Sequence, residues 1–302
     1  MIACRLLVLS LLFTSPVHSA TDVWDGSPLD ELRLRLPDGR QDRLTTSVDW
    51  VNLDPHRFRS AGPVEVGPAP LRILLDPGHG GRDEGAHSVH GTLEKDICLR
   101  LAHLTRRILL RKARIAGIRI EVRLTREGDE TLALSDRAKL ANAWEPDAFV
   151  SIHANSSPFP GARGFEVYFL SSEASDSRAH RLAQVENGVT PERGKVLSIL
   201  SDVRSNVWMQ ESGGLAEEVF QALSRRTPAM GRAIRQAPFH VLGGTHAPSI
   251  LLEVGYLTHR GESRRLHDRG YLKSLSDAIS SGVLEFLDKR KERYEAGWAA
   301  AG

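Results

Sequence analysis

From Leu71 onward, short apolar runs alternate with longer segments in which apolar residues recur every three or four positions, and this restricts the fold more than any other feature of the chain. Runs at Leu71 to Asp76, Ile118 to Leu124, Ala148 to His153, Gly164 to Leu170 and Ile250 to Val254 predict strands, each ending near a polar residue or a glycine. Spacing of Ile97, Leu101, Leu104 and Ile108 predicts one helix, with Gly117 placed to close it. Leu215, Val219 and Leu223 predict a second, and Leu272, Leu275, Ile279, Val283 and Phe286 a third. Strands and helices in this alternation define an α/β domain with a largely parallel sheet.

The flanks read differently. Residues 1–20 carry Arg5, an apolar run from Leu6 to Phe13 and the small residues Ser19 and Ala20, which reads as a secretory signal cut after Ser19 or Ala20. The apolar run is far shorter than the roughly 20 residues a bilayer span needs, so a permanent membrane helix is the weaker reading. Residues 21–70 hold only short strand-like pieces, such as Leu32 to Leu36. They end in a Gly/Pro-rich run, Ala61-Gly62-Pro63 through Gly67-Pro68-Ala69-Pro70, that reads as a linker of unread role. The α/β domain is expected over 71–288. Residues 289–302, beginning Lys289-Arg290-Lys291-Glu292-Arg293, form a charged tail, read as a solvated helix end.

With 40 basic and 38 acidic residues the formal charge is +2, which gives no basis for a nucleic-acid partner. Only Cys4 and Cys98 are present, and Cys4 leaves with the signal, so the mature chain has no internal disulfide and relies on packing or metal. Cys98, between Ile97 and Leu99, reads as a buried small residue and not a nucleophile.

Residues with chemistry gather at strand ends. Leu74-Leu75-Asp76-Pro77-Gly78-His79-Gly80-Gly81 sets His79 just past a buried strand, on a loop whose glycines allow close backbone approach to a ligand. The loop matches neither phosphate-cradling glycine pattern. Glu94 opens the next helix; alone, it is explained as first-turn charge against the helix dipole. Val150-Ser151-Ile152-His153-Ala154-Asn155 ends a second buried strand with His153, putting two imidazoles at one sheet edge. Two histidines and one carboxylate leave tetrahedral zinc an open position, the mark of a catalytic site. Pro248-Ser249-Ile250-Leu251-Leu252-Glu253-Val254-Gly255 places Glu253 within an apolar strand, where an unpaired charge is costly; either a structural ion pair or a chemical role accounts for it.

Those three blocks, Ile73 through Asp96, Ser151 to Asn155 and Pro248 to Gly255, resemble the signatures of the zinc-dependent N-acetylmuramoyl-L-alanine amidase family of type 3. The likeness runs from about Leu71 to about Leu287 and includes Leu124-Thr125-Arg126 and Asp136-Arg137-Ala138. It implies a twisted, mainly parallel sheet with helices on both faces, one zinc ion held by His79, Glu94 and His153, and Glu253 as the catalytic glutamate. The implied reaction hydrolyses the amide between the lactyl group of N-acetylmuramic acid and L-alanine, with peptidoglycan or muropeptide as substrate, in the periplasm or outside the cell. Two sites depart from the family pattern: Ser88, where glycine is common, and the pair Thr258-His259, where Ser-Asn is expected. Division-associated relatives plug the site with a helical insertion that an activator protein moves. The matching interval here, with Ala183 to Asn187 and then Val196 to Asn206, looks shorter and reads as a lid or connector; autoinhibition and an activator protein stay open, without a residue to support them.

In the implied mechanism zinc acidifies a water, and Glu253 takes its proton and returns it to the departing nitrogen. Arg82, Arg126 and Arg137 are candidates for gripping stem-peptide carboxylates, against the commoner reading of surface arginine. Two rivals stand beside the amidase: a zinc peptidase cutting within the stem peptide, and a wall-binding protein without activity.

Overall fold

The computed structural model describes residues 31–35, 41–45, 69–188, 203–227 and 231–301. The expected leader and most of the Gly/Pro-rich run lie outside them, as do residues 196–202 of the interval read as a lid or connector. The chain divides into two compact units, 1–67 and 68–302. In the first, β1 (Glu31–Arg35) pairs antiparallel with β2 (Gln41–Thr45).

The second unit is built on a six-stranded sheet in the order β4-β3-β5-β8-β6-β7. Its strands are β3 (Leu71–Pro77), β4 (Ile120–Leu124), β5 (Ala148–Asn155), β6 (Glu166–Leu170), β7 (Ala233–Ala237) and β8 (Ser249–Tyr256). Every neighbouring pair is parallel except β6 with β8. Helices are α1 (Glu94–Ile115), α2 (Leu134–Trp144), α3 (Ser177–Glu186), α4 (Val203–Ser224), α5 (His240–Gly243), α6 (Arg260–His267) and α7 (Arg269–Ala301). The mainly parallel α/β architecture matches the sequence reading. Strand β7 was not anticipated, because Ala233-Ile234-Arg235-Gln236-Ala237 is short, mixed and half-buried at the sheet edge.

The two-residue period of the central strands splits the core into two layers. Ile73, Leu75, Val150, Ile152, Ile250 and Leu252 face one side, against Ile97 and Leu101 of α1, Val219 of α4 and Ile279 and Val283 of α7. Leu74, Phe149, Tyr168 and Leu251 face the other, against Ala141 of α2, Ala179 and Ala183 of α3 and Leu242 of α5. The first layer is covered by long helices, the second by short ones with small apolar residues.

On this second face the alternation continues past the apolar residues into Asp76, Ser151, His153, Glu166 and Glu253, all buried. They fall on one side because each is an even number of positions from an apolar residue of that layer. Cys98 is buried in α1 with a free thiol that burial pushes up. The charged tail is not simply solvated: it continues α7, where Lys289 meets Glu218, Arg290 meets Asp147 and Glu211, and Arg293 meets Glu211. No helix among the described residues is long and apolar enough to cross a membrane.

Candidate metal centre

Strands β3, β5 and β8 run parallel and end at the same edge, so residues distant in sequence meet there. Beyond β3 the backbone turns through His79 at φ 57°, a left-handed conformation uncommon for a residue with a side chain. That turn rests on Gly78, where a Cβ would come within 2.4 Å of the His153 ring, and Gly85, where one would meet His79 Cδ2 at 2.6 Å. Both imidazoles therefore approach because the neighbouring backbone carries no side chain. The rings stand edge to face, centroids 4.9 Å apart.

Glu94 is the first residue of α1. Its Oε1 lies 3.1 Å from His79 Nε2 and 3.2 Å from His153 Nδ1. Backbone N–H groups fix the carboxylate from two directions: Ala154 donates to Oε1 at 3.0 Å and Ala86 to Oε2 at 2.8 Å. The far nitrogen of the first imidazole, His79 Nδ1, faces Asp83 Oδ2 at 3.0 Å. Burial raises the Glu94 carboxyl, but the adjoining imidazoles of His153 and His79 outweigh it and hold the group well below the usual carboxylate range. Burial lowers the His79 imidazole, and Asp83 and Glu94 overcome that and raise it to about 10. Such a site draws positive charge, whether a proton or a metal cation.

Glu253 lies directly across from His153 on β8 and is 1% exposed. Neither of its oxygens has a hydrogen-bond partner, and His79 Nε2 has none either, its 3.1 Å approach to Glu94 lacking hydrogen-bond geometry. Burial, then the negative charges of Glu94, Glu186 and Glu166, push the Glu253 carboxyl well above its ordinary value. The structural ion pair offered as one explanation for Glu253 is not found among the described residues. Orphaned buried donors and acceptors around two imidazoles fit a divalent cation.

Glu186, which sequence reasoning did not single out, also enters the site. It ends α3, and its Oε2 lies 3.1 Å from His153 Nδ1 and 3.7 Å from His79 Nε2. With the two histidines it forms a group able to hold a metal ion. Helix α3 is pinned at both ends. Asp176 caps its start by accepting from Arg178 N and Ala179 N, and pairs with Arg235. Asn187 at its other end donates to Pro238 O and accepts from His240 N. The sequence signal was Ala179 and Ala183 spaced to seat a short helix, which puts the last residue over the sheet edge.

The arginines proposed to grip substrate divide. Arg82 is exposed and lines the cleft of about 910 Å³ that holds His79, Glu94 and Glu186. Arg126 and Arg137 are 2% and 3% exposed and bond inward, because the carbonyls of the His79 loop need donors more than a solvent-facing ligand does. For these two, both sequence readings, a grip on substrate and a surface arginine, give way to a structural one. The two departures from the family pattern are structural here. Ser88 Oγ accepts from His90 N and Thr92 N, Thr258 Oγ1 accepts from Ser157 N, and His259 Nδ1 caps α6 by accepting from Glu262 N.

An α/β domain whose strand ends gather two histidines, two carboxylates and a buried, unpaired glutamate belongs to the class of hydrolases that work through a bound metal. More particularly, residues 73–285 match the N-acetylmuramoyl-L-alanine amidase family, and the chain belongs to it. The amidase AmiA of Escherichia coli is 32% identical over 71% of this chain and 75% of its own length. AmiC of Neisseria meningitidis is 30% identical over 87% of this chain and 64% of its own. Among solved structures, AmiC2 of Nostoc punctiforme is 31% identical, with a TM-score of 0.56 over 74% of this chain and 99% of that one. Members of this family are zinc-dependent hydrolases of peptidoglycan that cut the amide between the lactyl group of N-acetylmuramic acid and L-alanine.

Proposed function

We propose that His79, Glu94 and His153 hold one zinc ion in this chain, and that Glu253 is the acid and base of the amidase reaction. One observation carries the reading: Glu94 Oε1 stands within 3.2 Å of a nitrogen of each imidazole, beside buried groups that lack partners of their own. Of the two carboxylates, Glu94 is the better resident ligand. It sits on a 22-residue helix with both oxygens held by backbone N–H groups, whereas Glu186 ends a 10-residue helix without such anchors.

A zinc ion there supplies Lewis acidity toward an attacking water and toward the oxygen of the scissile carbonyl. Glu253 accepts the proton of the attacking water, its burial making it basic enough for the task. It then delivers that proton to the departing alanine nitrogen, which leaves as an amine. Asp83 orients His79 by holding Nδ1, leaving Nε2 for the metal. Glu186 lies against both imidazoles, so α3 covers that side of the site.

The same donors would serve a peptidase acting within the stem peptide, and a wall-binding protein would keep the fold without turnover. Digestion of purified muropeptides by zinc-loaded protein separates the three. Intact free stem peptide with unsubstituted glycan supports the amidase, shortened stems the peptidase, and unreacted muropeptide the binding protein. We also propose export to the periplasm or beyond, on the leader-like pattern of residues 1–20 and on where peptidoglycan lies. N-terminal sequencing of secreted protein, starting at Ala20 or Thr21, tests it.

A further inference from the structure

The largest fully buried side chain in the described residues is a cation, Arg126, on the loop that follows β4. Its guanidinium is surrounded by carbonyl oxygens: Nε donates to Pro77 O at 3.0 Å, one terminal nitrogen to Gly128 O at 2.8 Å, and the other to Gly78 O at 2.7 Å and Lys95 O at 2.9 Å. Among the described residues no carboxylate pairs with it. A buried guanidinium so close to a cation site opposes cation binding by charge, so what it contributes there is geometry.

That geometry is specific. Gly78 precedes His79 and Lys95 follows Glu94, so one nitrogen of Arg126 joins the backbone beside one zinc-holding side chain to the backbone beside the other. Lys95 closes the same joint from the opposite side, its Nζ donating to Gly81 O at 2.8 Å. Packing is tight enough that a Cβ on Gly80 would meet Arg126 Cδ and Nε at 3.0 Å. Arg137 differs. It bonds Pro77 O, His79 O and Asp76 on the loop side and makes no bond to α1.

We propose that Arg126 is a positioning residue that sets the separation of His79 and Glu94, and through it the affinity and coordination geometry of the metal site. The proposal rests on those two residues being zinc ligands. Lysine at 126 keeps the charge but replaces a planar fork by one point donor, which cannot reach the Gly78 and Lys95 carbonyls as a fixed pair.

The test uses full-length mature protein stripped of metal, as wild type, Arg126→Lys and Arg126→Gln. Each is titrated with zinc against a chromogenic chelator, and each is loaded with cobalt and its visible absorption spectrum recorded. The expected result is zinc affinity lower by about 10- to 100-fold in both variants. An altered cobalt spectrum and a reduced kcat with unchanged KM at saturating zinc are expected with it. Variants that melt earlier yet keep wild-type zinc affinity and cobalt spectrum overturn the proposal. Variants that fail to fold with or without zinc overturn it too, by assigning Arg126 to the fold. Wild-type protein that takes up no zinc rejects the metal reading itself and is recognised before any variant is compared.

Discussion

The two faces of the sheet are made from the same strands and do different work. On one, Ile73, Val150, Ile152, Ile250 and Leu252 meet three long helices, and the strand side chains are apolar along their length. On the other, the same strands place Asp76, Ser151, His153, Glu166 and Glu253 under short helices rich in alanine. A one-residue step along any strand crosses from packing to chemistry. The polar face is viable because each buried group has a stated partner or a task. Asp76 accepts from Arg137, Thr125 and Ser151 at 2.6 to 2.8 Å, and Glu166 is bonded by Tyr168, Tyr256, Asn155, Arg178 and Arg235. Glu253 alone of these carboxylates is left unpaired. Both faces therefore contribute stability while reactivity is confined to one, and substitutions should separate the two.

The sharpest separation is Glu253→Gln, which should lower kcat by about 10³-fold, at the middle of the range for a lost general acid–base. Zinc content should be unchanged and the melting temperature no lower, because a buried unpaired charge is removed. Next is Asp76→Asn, which leaves the buried Arg137 without its carboxylate and should cost about 3 kcal/mol by denaturant titration. Its pH signature has a definite sign. Burial raises the Asp76 carboxyl, but Arg137, Thr125 and Ser151 together hold it below 3.8. The native pair thus stabilises at pH values above the unfolded value and is lost as pH falls through the lower native one; Asp76→Asn should lack that acid limb. Leu275→Ala on the apolar face should cost a similar ~3 kcal/mol, by leaving a cavity, with kcat per zinc-loaded molecule unchanged. A large loss of kcat there would break the separation. The smallest expected effect is Glu186→Gln, which weakens the contact between α3 and the histidines and should raise activity by about tenfold, a change of ~1.4 kcal/mol in barrier.

Much of this was legible in the sequence because strand-end position and chemistry coincide. His79, Glu94 and His153 were found in separate segments, and the structure brings both imidazoles within 3.2 Å of Glu94 Oε1. Glu253 stood out as a charge in an apolar strand. Glu186 did not, since Ala183 to Asn187 has the composition of any short surface helix, and only tertiary packing turns its end toward the histidines. The roles of Arg126 and Arg137 were hidden for a related reason. Their partners are backbone carbonyls of Pro77, Gly78, His79 and Lys95, which no side-chain pattern records. Strand β7 escaped because an edge strand buries too little to need a clean alternation.

The most direct test of the polar face as a zinc amidase centre is metal analysis of the purified mature chain beside His153→Ala, with the muropeptide products of each resolved by mass. One zinc per wild-type chain, free intact stem peptide and unsubstituted glycan, all lost in the variant, is the outcome expected. Full zinc content and full amidase activity in His153→Ala would contradict it.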